Sequence, residues 1–133
     1  MTRPLALTLG EPAGIGPDIT LAAWCRRDEL KLPAFYLLAD PDHLARRARV
    51  LGLDVPIRVV APEDAGAAFA DALPVVALDE RVSAEPGSPD ASSAPAAIAS
   101  IHSGRSNGPL IALCYSRKSG CPPIPAIQRT LNP

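Results

Sequence analysis

Several residue classes are scarce in this 133-residue chain, and each scarcity closes off a class of function. There are three cysteines, Cys25, Cys114 and Cys121, too few and too odd in number for a secreted disulfide framework. There are two histidines, His43 and His102, far apart in sequence, whereas a catalytic metal site needs about three protein ligands. Neither charge sign dominates: 13 Lys and Arg face 14 Asp and Glu, so no basic tract suits nucleic acid or an anionic membrane. Aromatic residues make up 4%, which leaves little for an interface built on aromatic anchors. No apolar run reaches the ~20 residues of a membrane span. Met1-Thr2-Arg3-Pro4 leads directly into a strand pattern, with no signal peptide expected. A cytoplasmic protein with no nucleic-acid or membrane partner is the expectation.

What is present is concentrated near the start. Leu5-Ala6-Leu7-Thr8-Leu9 reads as a strand, and Gly10-Glu11-Pro12-Ala13-Gly14-Ile15-Gly16-Pro17-Asp18 reads as a tight loop entering a helix. This is where α/β proteins place ligands. The glycine spacing is G-x-x-x-G-x-G, so it is neither the dinucleotide fingerprint nor a Walker loop. Glu11 and Asp18 suit the helix dipole but would repel a phosphate. The loop therefore either faces a neutral or cationic part of a ligand or is a packing turn.

Along the chain, strands are expected at 4–9, 34–39, 56–60 and 73–78, with helices between them, an α/β pattern with parallel strands. The first helix carries Ile19, Ala22 and Ala23 on its apolar face, with Cys25 as a small core residue. Asp40 as N-cap, Pro41 at N1 and Gly52 just past the end frame the second helix. Leu44, Ala48 and Leu51 form its stripe, Arg46, Arg47 and Arg49 a solvated face, and His43 a surface or capping residue. A third helix falls within 62–72. A polar loop over 79–92 contains Glu85-Pro86-Gly87-Ser88-Pro89. Ala94 to Ile101 is a fourth helix, with Ala97, Ile98 and Ile101 on its packed face.

The run Leu7-Thr8-Leu9-Gly10-Glu11-Pro12-Ala13-Gly14-Ile15-Gly16-Pro17-Asp18 resembles the opening of the 4-hydroxythreonine-4-phosphate dehydrogenase family of pyridoxine biosynthesis. The resemblance implies a partial, truncated three-layer α/β sandwich of the isocitrate/isopropylmalate dehydrogenase type. It implies Gly10, Glu11, Gly14, Ile15 and Gly16 as cofactor-binding residues, with Ile15 and its flanking glycines nearest the nicotinamide. It also implies NAD and a divalent metal as cofactors, a phosphorylated hydroxythreonine substrate and a homodimer.

The likeness runs from about Pro4 to His102, dividing the chain into 1–102, the dehydrogenase-like region, and 103–133, an irregular tail. The family's lysine-bearing run, its Gly-His-Thr-Glu segment and its metal-binding histidines have no counterpart in the chain, so no catalytic residue or metal ligand is assigned. Cys114 and Cys121 lack a short zinc-binding spacing. Acidic residues vanish after Asp90, and the tail reads as the product of a shifted reading frame. Three readings follow: a truncated dehydrogenase inactive alone, a non-catalytic α/β remnant that binds a nucleotide or a partner, and a remnant that scarcely folds.

Overall fold

The computed structural model describes residues 3–89, 91–107 and 110–112. Five strands form one parallel sheet: β1 (Leu5–Thr8), β2 (Phe35–Ala39), β3 (Ile57–Val59), β4 (Leu73–Ala77) and β5 (Leu110–Ala112). Their order is β3-β4-β2-β1-β5. Four α-helices connect them: α1 (Gly16–Cys25), α2 (Pro41–Val50), α3 (Ala65–Ala68) and α4 (Ala94–Asn107). The first two cover one face and the last two the other, so the layers are α/β/α.

The central strands are apolar on both faces because both are covered. β2 is buried at every position. On one side Leu7, Leu37, Val75 and Leu73 meet Leu21 and Trp24 of α1 and Leu44 and Ala48 of α2. On the other side Ala6, Tyr36 and Leu38 meet Ala65 of α3. The edge strand β3 is exposed at Arg58 and Val59. The second helix follows its expected caps: the Asp40 carboxylate accepts from the Asp42 N–H at 3.0 Å, Pro41 opens the helix, and Gly52 follows it at φ +67°.

Several helix faces differ from the sequence-based expectation. In α1 the buried residues are Pro17, Thr20, Leu21 and Trp24, while Ile19 is half exposed and Cys25 is exposed. Thr20 tolerates burial because its hydroxyl donates to the Gly16 carbonyl at 2.9 Å. Trp24 tolerates it because its indole N–H reaches the Phe69 carbonyl at 3.1 Å. Leu51, the expected end of the α2 stripe, is exposed.

In α4 the buried positions are Ala96, Ser100 and Gly104, and Ile98 and Ile101 point outward. Small residues at every fourth position let this helix lie close to β1 and β2. The helix runs to Asn107, beyond the expected Ile101, and leads to β5, which pairs with β1. Cys114, Cys121 and the tail beyond 112 lie outside the described residues.

Candidate functional site

The connection after β1 leaves from the interior of the sheet. Successive strands step from β1 to β2, out to the edge strand β3 and back to β4 between β3 and β2, before the chain crosses to β5 on the far side of β1. The carboxyl ends of β1 and β5 therefore flank a point where the strand order reverses, which is where open parallel sheets leave a crevice. Residues 10–16 lie at that point.

The local sequence dictates the loop's shape. Gly10 has φ +66°, a conformation that side chains disfavour. The Gly14 N–H donates to the Glu11 carbonyl at 2.9 Å, closing a turn. A Cβ on Gly14 would stand 3.1 Å from that carbonyl oxygen, and one on Gly16 would stand 2.3 Å from the Leu9 carbonyl oxygen. Gly16 is thus required by the backbone just after β1, whereas a side chain at Gly14 would press tightly on the loop's own Glu11 carbonyl. Ile15 stands at the entrance to α1, 45% exposed, and is the apolar surface that the loop presents.

Three distant segments hold the loop in place. The Glu11 carboxylate accepts from the Ala13 N–H at 3.2 Å and from the buried Ser93 hydroxyl at 2.5 Å, which ties the loop to the start of α4. The Gly87 N–H, in the Pro-Gly segment, donates to the Ala13 carbonyl at 2.8 Å. From α2, His43 Nε2 lies 3.1 Å from the Pro12 carbonyl oxygen. A carbonyl can only accept, so the neutral ring carries its proton on Nε2. Ala13 also packs with Val82, Ala84 and Ala96 in a small cluster of its own.

His43 is therefore buried, not a surface or capping residue. Burial holds its pKa below the ordinary value of 6.5, and the nearby Arg46 and Arg47 add to that depression. The arginine face of α2 also differs from the expected solvated one. Arg47 makes a two-pronged ion pair with Asp18 in the first turn of α1, with the side chains 13% and 25% exposed. Arg46 donates to the Val82 carbonyl at 2.6 Å. Sequence periodicity gave no sign of these contacts, which join segments 29 and 36 residues apart. The partial signal was the placement of Asp18 in one first turn and of arginines in another helix.

The five expected cofactor-binding residues are thus brought together in one loop, with Ile15 outermost and Glu11 engaged within the protein. An apolar ring could rest on Ile15, and the Glu11 carboxylate is already occupied by two donors. For a metal the residues do not fit: among the described residues no three His, Cys, Asp or Glu side chains cluster. Among the described residues, too, no helix is long and apolar enough to cross a membrane.

No protein-family model matches the chain. Curated relatives do. The chain is 63% identical over 107 residues to the 4-hydroxythreonine-4-phosphate dehydrogenase of Bradyrhizobium diazoefficiens, covering 74% of this chain and 31% of that one. It is 57% identical over 98 residues to the enzyme of the same name from Xanthobacter autotrophicus, covering 74% and 28%. Among solved structures, a 4-hydroxythreonine-4-phosphate dehydrogenase from Burkholderia phymatum superposes with a TM-score of 0.65 at 17% identity, covering 80% of this chain and 32% of that one. One from Klebsiella pneumoniae gives 0.57 at 20% identity. The structural likeness establishes an α/β fold shared with these solved structures. The chain spans about a third of the length of the curated relatives it matches.

Proposed function

We propose, for a chain that matches the N-terminal part of the 4-hydroxythreonine-4-phosphate dehydrogenases, that these residues form one wall of a nicotinamide-cofactor cleft. The observation that carries the reading is the 63% identity to a named dehydrogenase, joined to a loop held rigidly at the strand-order reversal. In this reading Gly10, Glu11, Gly14, Ile15 and Gly16 line the cofactor, and Ile15 offers the apolar contact for the nicotinamide. NAD, when bound, would accept hydride from the secondary alcohol of a phosphorylated hydroxythreonine. The chain's own contribution is to position the ring. The substrate, a homodimer and a cytoplasmic location belong to the same proposal, and a divalent metal to the intact family rather than to the residues of this chain.

The residues described contain no three-ligand metal cluster and no assigned acid or base, so the purified chain is expected to bind NAD weakly and to turn nothing over. The test is NAD titration of the chain and of Ile15→Glu, with circular dichroism as the folding control. Binding lost in the variant supports the reading. Equal titrations, or measurable NAD-dependent turnover by the chain alone, would overturn it. The shifted-frame origin of residues 103–133 is a separate proposal. Resequencing the gene across the codons for Ile98 to Pro133 tests it, since a single-base correction should restore a long frame with a Gly-His-Thr-Glu segment.

One observation favours a second reading, a non-catalytic α/β module that binds a nucleotide or a partner. Gly16 is accounted for by the loop's own packing, without a ligand. Unchanged NAD titration in Ile15→Glu is the result this reading expects.

A further inference from the structure

One concavity near the loop is not formed by the loop. It lies behind it, between α2 and residues 81–86, and encloses about 690 Å³. That is the size of a small-molecule site. None of residues 10–16 lines it. Arg46, Arg49 and Arg81 do, with Ser83, Val50 and Glu85.

The charges in this cleft are unevenly compensated. Arg47, on its inner wall, is neutralised by Asp18. Arg81 is paired with Asp42, but both side chains are largely exposed, and such a pair exchanges readily with solvent or a competing anion. Arg46 donates only to a neutral carbonyl, and its remaining N–H groups are available. The Arg49 guanidinium has no hydrogen bond or ion pair among the described residues. Arg46 and Arg49 are three residues apart, so two uncompensated cations neighbour each other on one helix face, an arrangement that repels unless an anion lies between them. The helix dipole accounts for a cation in the last turn of α2 but not for a concave wall opposite, carrying Arg81 and the Ser83 hydroxyl.

We propose that this cleft binds a phosphorylated small molecule, with Arg46 and Arg49 on the phosphate, Arg81 and Ser83 closing over it, and Val50 against its carbon skeleton. Guanidinium groups match the oxygens of a tetrahedral dianion better than those of a lone carboxylate, because more donors are satisfied at once. The proposal does not depend on the cofactor cleft, which lies on the other side of His43.

The test is calorimetric titration of the full chain with inorganic phosphate and pyrophosphate. Arg49→Glu, and Arg49→Glu combined with Arg81→Ala, should weaken binding at least tenfold. Arg58→Glu, an equal charge change on the exposed edge strand β3, should leave it within twofold. Displacement of bound pyrophosphate by NAD at matching affinity would identify a dinucleotide as the phosphate source, and failure to displace it would identify a simpler phosphate ester. Absence of binding by the unsubstituted chain, or equal loss in Arg58→Glu and Arg49→Glu, would overturn the proposal.

Discussion

His43 and Pro12, 31 residues apart, are joined by a buried hydrogen bond from the imidazole Nε2–H to the carbonyl oxygen. Proline has no N–H and offers only that carbonyl, so the bond is the feature that anchors the centre of the glycine loop to α2. His43→Leu leaves the carbonyl buried without its donor. The expected cost is about 1–3 kcal/mol in urea unfolding. His43→Gln, which keeps a donor, should recover part of it. A loss below experimental error in both variants would remove the anchor role.

The same residue makes stability depend on pH. Its folded pKa is depressed, so the unfolded chain takes up a proton at a higher pH than the folded one. Its contribution is therefore complete above about pH 6.5 and diminishes as the pH falls towards the lower folded value. Urea midpoints measured from pH 7.5 down to 5.5 should fall, and His43→Gln should flatten that part of the curve. An unchanged slope in the variant would assign the dependence to other groups.

Gly16 and Gly66 give opposite expectations for the same substitution. A methyl group at Gly16 would stand 2.3 Å from a backbone oxygen, and Gly16→Ala is expected to cost at least about 3 kcal/mol or to prevent folding. At Gly66, inside α3, the nearest atom to a new Cβ is a proline Cγ 3.9 Å away. Gly66→Ala should stabilise the chain by roughly 0.5 kcal/mol, since it restricts the unfolded chain without a clash. Thermal melts of the two variants compare them directly.

Asp18→Asn and Arg47→Met each break the pair that joins α1 to α2. With both side chains mostly buried, either change is expected to cost roughly 1–2 kcal/mol, between the values for exposed and for fully buried pairs. A double-mutant cycle should give a coupling of similar size. The midpoint difference between Asp18→Asn and the unsubstituted chain should persist in 1 M salt, because partial burial limits screening. Additivity of the two single variants would show that the contact contributes nothing.

Local grammar made much of this fold legible before any coordinates. Asp40-Pro41 and Gly52 bracket α2 because caps are decided by neighbouring residues, and the apolar runs at 34–39 and 73–78 read as strands, the first of them buried throughout. The buried helix faces were less legible. Periodicity at Ile19 or Ile98 assumes that the most apolar residue faces inward. The sheet instead accepts Thr20, whose hydroxyl is satisfied within its own helix, and Ala96 and Ser100, whose small size permits close approach. At the candidate site the glycine loop announced itself, whereas His43 did not. A histidine in a first helical turn looks the same whether it meets solvent or a carbonyl 31 residues away. Arg47 was hidden for the same reason, since its partner is chosen by the crossing of two helices.

The attachments of the loop through Ser93, Gly87 and His43 have a consequence for recognition. A surface segment left to wander must lose that freedom when a guest arrives, and the loss subtracts from affinity. Here the freedom is already gone before any encounter, because folding itself has set the backbone of residues 10–16 against three separate parts of the chain. Whatever rests on Ile15 meets a shape determined in advance, and discrimination among guests falls to the fit of the visitor.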